Sequence, residues 1–208
     1  MNVREAYNNW AAQYDTGLNK TRDLEAVSLR QTLSNIDFTS CLEVGCGTGK
    51  NTEWLAAKAE DILAIDLSEE MLNKARNKTY KGKVSFLQFD INGIWNFTNR
   101  QFDIGVFSLV LEHIKDIDSV FNKVSEKIKP GGYLYIGELH PFKQYTGSKA
   151  KFETDKGTQL VTCFMHHLSD FIKAADKNGF QVILIDELFD DNDKTSVPRI
   201  LTLLFKRK

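Results

Sequence analysis

Residues 39–52 read TSCLEVGCGTGKNT, and this stretch restricts the fold more tightly than any other in the chain. A short apolar run, Cys41-Leu42-Glu43-Val44, leads into three glycines at alternate positions, Gly45, Gly47 and Gly49. A helical pattern with Trp54, Leu55 and Ala56 follows, so the segment predicts strand, tight turn and helix. Glycine permits positive φ and the close approach of a ligand to the backbone. Such a turn presents the free N–H groups of a helix start to that ligand. A dinucleotide fingerprint, Gly-x-Gly-x-x-Gly, would place its third glycine at position 50. That position is Lys50.

The rest of the chain alternates in the same manner. Residues 2–15 carry Val3, Ala6, Tyr7, Trp10 and Tyr14 at helical spacing, and a second helix is expected over 23–33 with Leu24, Val27 and Leu29 facing inward. Short apolar runs predict strands at 41–44, 61–66, 84–89, 102–108 and 133–138. Ser68, followed by Glu69 and Glu70, is a helix start that ends near Tyr80. Another helix over 118–129 stops at Pro130-Gly131-Gly132. Strands alternating with helices imply βαβ units and a parallel sheet. After His140 the pattern changes. A hairpin is expected across 152–155 and 158–164 around Lys156-Gly157, then a helix over 168–177 with Gly179 past its end, then strands at 181–189 and 200–205.

The chain has 208 residues, which suits one domain with one sizeable core. Its net charge of −1 leaves no electrostatic footprint for nucleic acid. Three cysteines, Cys41, Cys46 and Cys163, without a Cys-x-x-Cys pair, argue against a disulfide framework or a zinc knuckle. The N-terminus is too polar for a signal peptide and no apolar run has membrane-spanning length, so no membrane and a reducing cytoplasmic location are expected.

The pattern Glu-x-Gly-x-Gly-x-Gly at 43–49 resembles motif I of the class I S-adenosylmethionine-dependent methyltransferases. The resemblance extends, in order, over roughly 40–138. Asp66, closing the second strand, matches the acid that binds the ribose hydroxyls in that family, and a carboxylate can accept both. Asp90 matches the acid that meets the adenine amino group, beside the apolar Ile91. The run 102–114 is similar to motif IV and its Leu-His-His tail, with Glu112 replacing the first histidine and His113 matching the second. Residues 128–134 look like the family's turn before strand five. The resemblance implies an α/β, doubly wound, mostly parallel seven-stranded sheet of order 3-2-1-4-5-7-6, with helices on both faces and one antiparallel strand near 200–205. It implies S-adenosylmethionine as cofactor, held by Tyr14, Glu43, Gly45, Cys46, Gly47, Asp66, Leu67, Asp90, Ile91, Ser108 and Leu109. The single domain, 1–208, would comprise N-terminal helices or a lid (1–37), a cofactor core (38–138), a substrate cap (139–167) and a closing helix with two strands (168–208).

The flanks resemble the branch acting on small molecules, including quinone-biosynthesis enzymes, through Glu138-Leu139-His140-Pro141. The Asn/Asp-Pro-Pro-Tyr signature of nucleic-acid amino methyltransferases is replaced here by Ser-Leu-Val-Leu. The implied reaction is in-line displacement of a methyl group from a sulfonium toward a small-molecule acceptor, by a monomer or homodimer. His140 is the candidate base, because imidazole titrates near neutrality, although a structural role before Pro141 is equally open. The segment 140–167, with Phe142, Tyr145, Phe152, Phe164, His166 and His167, is expected to cap the acceptor site. Adjacent histidines at 166 and 167 diverge on a helix and make poor co-ligands, and no metal is expected. A non-catalytic S-adenosylmethionine-binding regulator and a nicotinamide-dependent oxidoreductase are the alternatives.

Overall fold

The computed structural model describes residues 2–154 and 157–208, and the backbone alone for 151–154. The strands are β1 (Ser40–Val44), β2 (Asp61–Asp66), β3 (Lys83–Gln88), β4 (Phe102–Ser108), β5 (Ile128–Leu139), β6 (Lys151–Thr154), β7 (Gly157–Leu160), β8 (Phe180–Leu188) and β9 (Ile200–Arg207). Seven of them form one sheet of order β3-β2-β1-β4-β5-β9-β8, while β6 and β7 pair separately as a hairpin. Leaving that hairpin out of the count gives the expected 3-2-1-4-5-7-6. β9 runs antiparallel to both β5 and β8, and the pairs from β3 to β5 are parallel.

Among the described residues seven α-helices accompany the strands: α1 (Val3–Trp10), α2 (Lys20–Leu33), α3 (Lys50–Leu55), α4 (Glu69–Arg76), α5 (Ile117–Lys127), α6 (Pro141–Tyr145) and α7 (Leu168–Lys177). Their apolar stripes cover the sheet on both faces. Leu29 and Leu33 of α2, Leu55 of α3 and Leu72 of α4 pack with Ile62, Ile104 and Tyr135 on one side. Phe121 of α5 and Phe171 of α7 pack with Phe107, Phe180 and Phe205 on the other. Phe121 meets Phe205 edge-on with ring centroids 6.0 Å apart, a favoured aromatic geometry. Burial of both faces explains why β1, β4 and β9 read as continuous apolar runs, whereas the edge strands β3 and β8 are largely exposed.

Several local expectations shift. Val27 is 41% exposed, because the buried face of α2 runs through Arg22, Glu25, Ala26, Leu29 and Leu33 instead. α4 ends at Arg76, four residues before Tyr80. Its start is as expected, with the Ser68 hydroxyl accepting the Met71 N–H at 3.2 Å. β7 is shorter than the strand expected over 158–164, and Lys156 of the expected turn lies outside the described residues. The consequence for function lies at the carboxyl ends of the strands. The sheet order reverses between β1 and β4, and a doubly wound sheet opens a crevice at that point.

Candidate active site

Gly45 leaves β1 and Leu109 leaves β4 on the two sides of this crevice. Gly45 has φ +75°, and a Cβ there would come within 2.8 Å of Val110, so both backbone and space require glycine. Gly47 has φ +54° with nothing within 4 Å of the position a Cβ would take, which leaves its backbone open to a ligand. Leu109 also has positive φ, +55°, a strained conformation for a branched side chain. Its N–H donates to the Gly137 carbonyl at 2.8 Å, which fixes that geometry.

The crevice is lined by Tyr7 and Tyr14 from the N-terminal segment, Gly45 and Gly47, and Asp66 and Leu67 after β2. Asp90, Ile91, Ser108 and Leu109, also read from the sequence, line it too, with Val3, Met71, Phe89 and His113. Asp66 accepts the Gly47 N–H on Oδ2 and the Ser68 N–H on Oδ1, each at 2.8 Å. Burial pushes its carboxyl up, and these N–H groups oppose the shift. Asp90 is exposed at the far end, where Oδ1 accepts from Asn92 at 2.9 Å. Glu43 and Cys46 line a smaller extension of the crevice beside Arg22, Glu25 and Asn51. Glu43 is buried and accepts the Thr52 hydroxyl at 2.5 Å, and burial raises it to about 8.

The N-terminal segment closes over this crevice through side-chain bonds. Asp15 accepts the Thr48 hydroxyl at 2.6 Å and lies 3.3 Å from Lys78. Asn8 accepts the Ser68 hydroxyl at 2.6 Å. His113 Nδ1 faces the Thr162 carbonyl at 2.8 Å, so Nδ1 carries the proton and Nε2 accepts the Tyr7 hydroxyl, also at 2.8 Å.

A second cavity, of about 570 Å³, adjoins the crevice and shares Tyr7, Tyr14 and Leu109 with it. Trp10 and Leu160 contribute apolar wall, and Lys20, Lys149 and Arg199 contribute positive charge. Arg199 is committed to Asp190 and Thr21. Lys20 and Lys149 have no ion pair among the described residues. Glu112 also lines this cavity, buried, with Oε2 unpartnered. Burial pushes its carboxyl up, against the pull of His113 and Cys163.

His140 is placed elsewhere. It caps α6, where Nδ1 accepts the Phe142 N–H at 3.1 Å, and Nε2 therefore donates to Glu187 at 2.8 Å. Both nitrogens are engaged, and the ring is part of neither cavity wall. The segment after it lines the larger cavity through Thr146, Gly147, Ser148, Lys149 and Ala150 rather than through its aromatic residues. Phe142 and Tyr145 are exposed, His166 is buried against the Ile114 carbonyl at 2.7 Å, and His167 caps α7. The side chain of Phe152 lies outside the described residues. Arg22, Glu25, Asn51 and Glu112 were not read as site residues. The signal for the first two was their register with Leu29 and Leu33 on α2.

Residues 42–136 match the protein family described as "Methyltransferase domain". That match spans β1 through β5, the glycine turn and Asp66, on a sheet of the expected order. Residues 42–136 form a methyltransferase domain, and the chain has the fold of the class I S-adenosylmethionine-dependent methyltransferases. An uncharacterised methyltransferase of Emericella nidulans is 26% identical over 86% of this methyltransferase and 76% of its own length. A ubiquinone biosynthesis O-methyltransferase of Hydrogenovibrio crunogenus is 27% identical over 76% of this methyltransferase and 66% of its own length. Among solved structures, the DhpI–SAH complex superposes with a TM-score of 0.76 at 21% identity, over 99% of this chain and 95% of that one, which shows the shared fold.

The cofactor suits the crevice that the methyltransferase offers. The crevice offers apolar surface at Leu67, Phe89 and Ile91 beside the carboxylate of Asp66, and the open Gly47 leaves room against the backbone, a lining compatible with a purine nucleoside. A nicotinamide cofactor is disfavoured by the glycine spacing, since Lys50 stands at the third fingerprint position.

Proposed function

We propose that the enzyme methylates a small amphipathic acceptor bearing an acidic group, seated in the 570 Å³ cavity. The observation that carries this reading is the shared wall: Tyr7, Tyr14 and Leu109 belong to both the cofactor crevice and the larger cavity. A molecule in the larger cavity thus abuts whatever occupies the crevice. Tyr7, Trp10 and Leu160 suit an apolar body, and Lys20 and Lys149, without an ion pair among the described residues, suit an anion at its other end. When bound, S-adenosylmethionine supplies an electrophilic methyl group on a sulfonium. The chain's own contribution is to orient the acceptor and exclude water, effects that reach roughly 7–11 kcal/mol when geometry is favourable.

Glu112 is the candidate base in this reading. It stands where the family pattern has a histidine, lines the acceptor cavity, and keeps one buried oxygen free to receive a proton from a hydroxyl or amine. His140 is assigned to holding the start of α6. Asp66 is assigned to the ribose, Asp90 and Ile91 to the adenine end, and Tyr14, Glu43, Cys46 and Ser108 to the methionine end. The described residues include no helix long and apolar enough to cross a membrane, and the three cysteines are free, which suits a reducing compartment such as the cytoplasm. The division into N-terminal cover, core, cap over 139–167 and closing strands follows the same assignment.

Transfer of a labelled methyl group from S-adenosylmethionine into a small-molecule extract tests the reading. Labelled product retained on an anion exchanger is expected. Label confined to uncharged products, or to macromolecules, would contradict it.

A further inference from the structure

The smaller extension of the crevice holds an unusual set of acceptors. Glu25 of α2 lies against the interior strand β5, buried, and accepts the Asn51 side-chain N–H on Oε2 at 2.9 Å and the Tyr135 hydroxyl on Oε1 at 3.1 Å. Because the Asn51 amide turns its NH₂ toward this carboxylate, its Oδ1 is left over, buried and without a partner. Ser108 Oγ is likewise buried; its hydroxyl faces the same carboxylate, and its lone pairs receive no donor. Glu25, Asn51 and Ser108 all line one pocket of about 40 Å³, which continues from the crevice past Gly45 and Gly47. That is more than the space one water-sized group needs.

The sheet is shaped to admit the carboxylate. A Cβ on Gly137 of β5 would come within 2.6 Å of Glu25 Oε1. Buried polar atoms are satisfied in most proteins, so two orphan acceptors flanking a buried carboxylate mark a missing donor. A donor that serves three acceptors at once and is attracted by a carboxylate is an ammonium group, which offers three N–H bonds. We infer that Glu25, Asn51 Oδ1 and Ser108 Oγ form the seat of the α-ammonium group of the methionine moiety. This rests on the cofactor reading above and deepens it by naming what discriminates an intact amino-acid tail from a shortened one.

Electrostatics gives the seat a further property. Burial raises the Glu25 carboxyl to about 7, opposed by Asn51, Ser108, Tyr135 and Lys50. The other charged or titratable groups around it are Arg22 on its own helix, Glu43 of β1 and Tyr14 of the N-terminal segment. Arg22 is committed to the Tyr14 and Gly17 carbonyls and to Asp23, and Lys50 to Asp23. An ammonium ion favours ionised Glu25, so binding below pH 7 expels a proton and weakens as pH falls, by up to about tenfold per pH unit for one proton.

Calorimetry tests this with two probes, S-adenosylhomocysteine, which carries the ammonium group, and 5′-methylthioadenosine, which lacks the whole amino-acid tail. Titrations of the wild-type protein at pH 6.5 in buffers of different ionisation enthalpy should show release of a substantial fraction of a proton with the first probe and none with the second. Glu25→Gln should weaken S-adenosylhomocysteine at pH 8 by tenfold or more, flatten its pH dependence, and leave 5′-methylthioadenosine unchanged. Asn51→Ala should repeat the pattern more weakly, and it carries the comparison if Glu25→Gln does not fold. Equal proton release with both probes, or an unchanged affinity for S-adenosylhomocysteine in both variants, overturns the assignment. Failure of the wild type to bind either probe overturns the cofactor reading itself, and the seat with it.

Discussion

The Tyr7 hydroxyl donates to Nε2 of His113 over 2.8 Å, joining residues 106 positions apart across the mouth of the crevice. Tyr7 sits on α1 and His113 just after β4, so this bond ties the N-terminal cover to the core. Burial holds the phenol far above its usual value, which keeps it a donor at any working pH. Asp15–Thr48, Asn8–Ser68 and the Asp15–Lys78 ion pair tether the same segment.

If the N-terminal segment acts as a lid, cofactor should reinforce these tethers. Amide exchange over residues 2–16 should slow on adding S-adenosylhomocysteine. Tyr7→Phe, which removes a bond worth about 0.5–1.5 kcal/mol, should speed exchange in the same segment of the free protein. Identical exchange with and without ligand in the wild type would count against a closing cover.

Two glycines of the turn, Gly45 and Gly47, should respond differently to the same change. Gly45→Ala combines a positive φ with a contact on Val110. Conformational strain of about 1–2 kcal/mol and overpacking of about 1–3 kcal/mol should lower the melting temperature markedly. Gly47→Ala meets no neighbour, so only the strain applies, and its methyl group projects into open crevice. That variant should stay folded while binding cofactor less tightly. Equal melting temperatures for the two variants would refute the packing argument.

His140→Ala should cost stability rather than turnover. Loss of the α6 cap is worth about 0.5–2 kcal/mol, and the partner Glu187 is half exposed, so their ion pair adds little. Burial holds the imidazole below its unfolded value of about 6.5. The unfolded state therefore binds a proton first, and stability is lost as pH falls through and below about 6.5. Thermal melts from pH 7.5 to 5 should show a smaller acid loss in His140→Ala than in the wild type. A collapse of turnover with stability intact would restore His140 as the base.

The glycine turn, Asp66 and the sheet order were legible because each rests on local chemistry: glycine spacing, a carboxylate at a strand end, and apolar runs separated by helices. Glu25 and Arg22 were not, since charged residues on a helix are ordinarily turned to solvent. Only their register with Leu29 and Leu33 places them inward, and only the neighbouring β5, with Gly137, makes room. For His140 the sequence left a base and a structural role equally open, and its hydrogen-bond partners were not legible. Its partner Glu187 lies 47 residues later, and nothing near position 140 announces that pairing. The acceptor cavity draws on residues from Tyr7 to Arg199, which no single stretch reveals.

The central claim is that the crevice holds S-adenosylmethionine with Asp66 on its ribose. Calorimetric titration of the wild type and Asp66→Ala with S-adenosylmethionine, and of the wild type with NADH, tests it most directly. Loss of hydrogen bonds to a charged group costs about 1.5–3 kcal/mol, which is roughly ten- to a hundredfold in affinity. The expected result is saturable binding of S-adenosylmethionine to the wild type, weakened by that factor in a folded Asp66→Ala variant, and no binding of NADH. Unchanged affinity in the variant, or saturable binding of NADH in place of S-adenosylmethionine, would contradict the account.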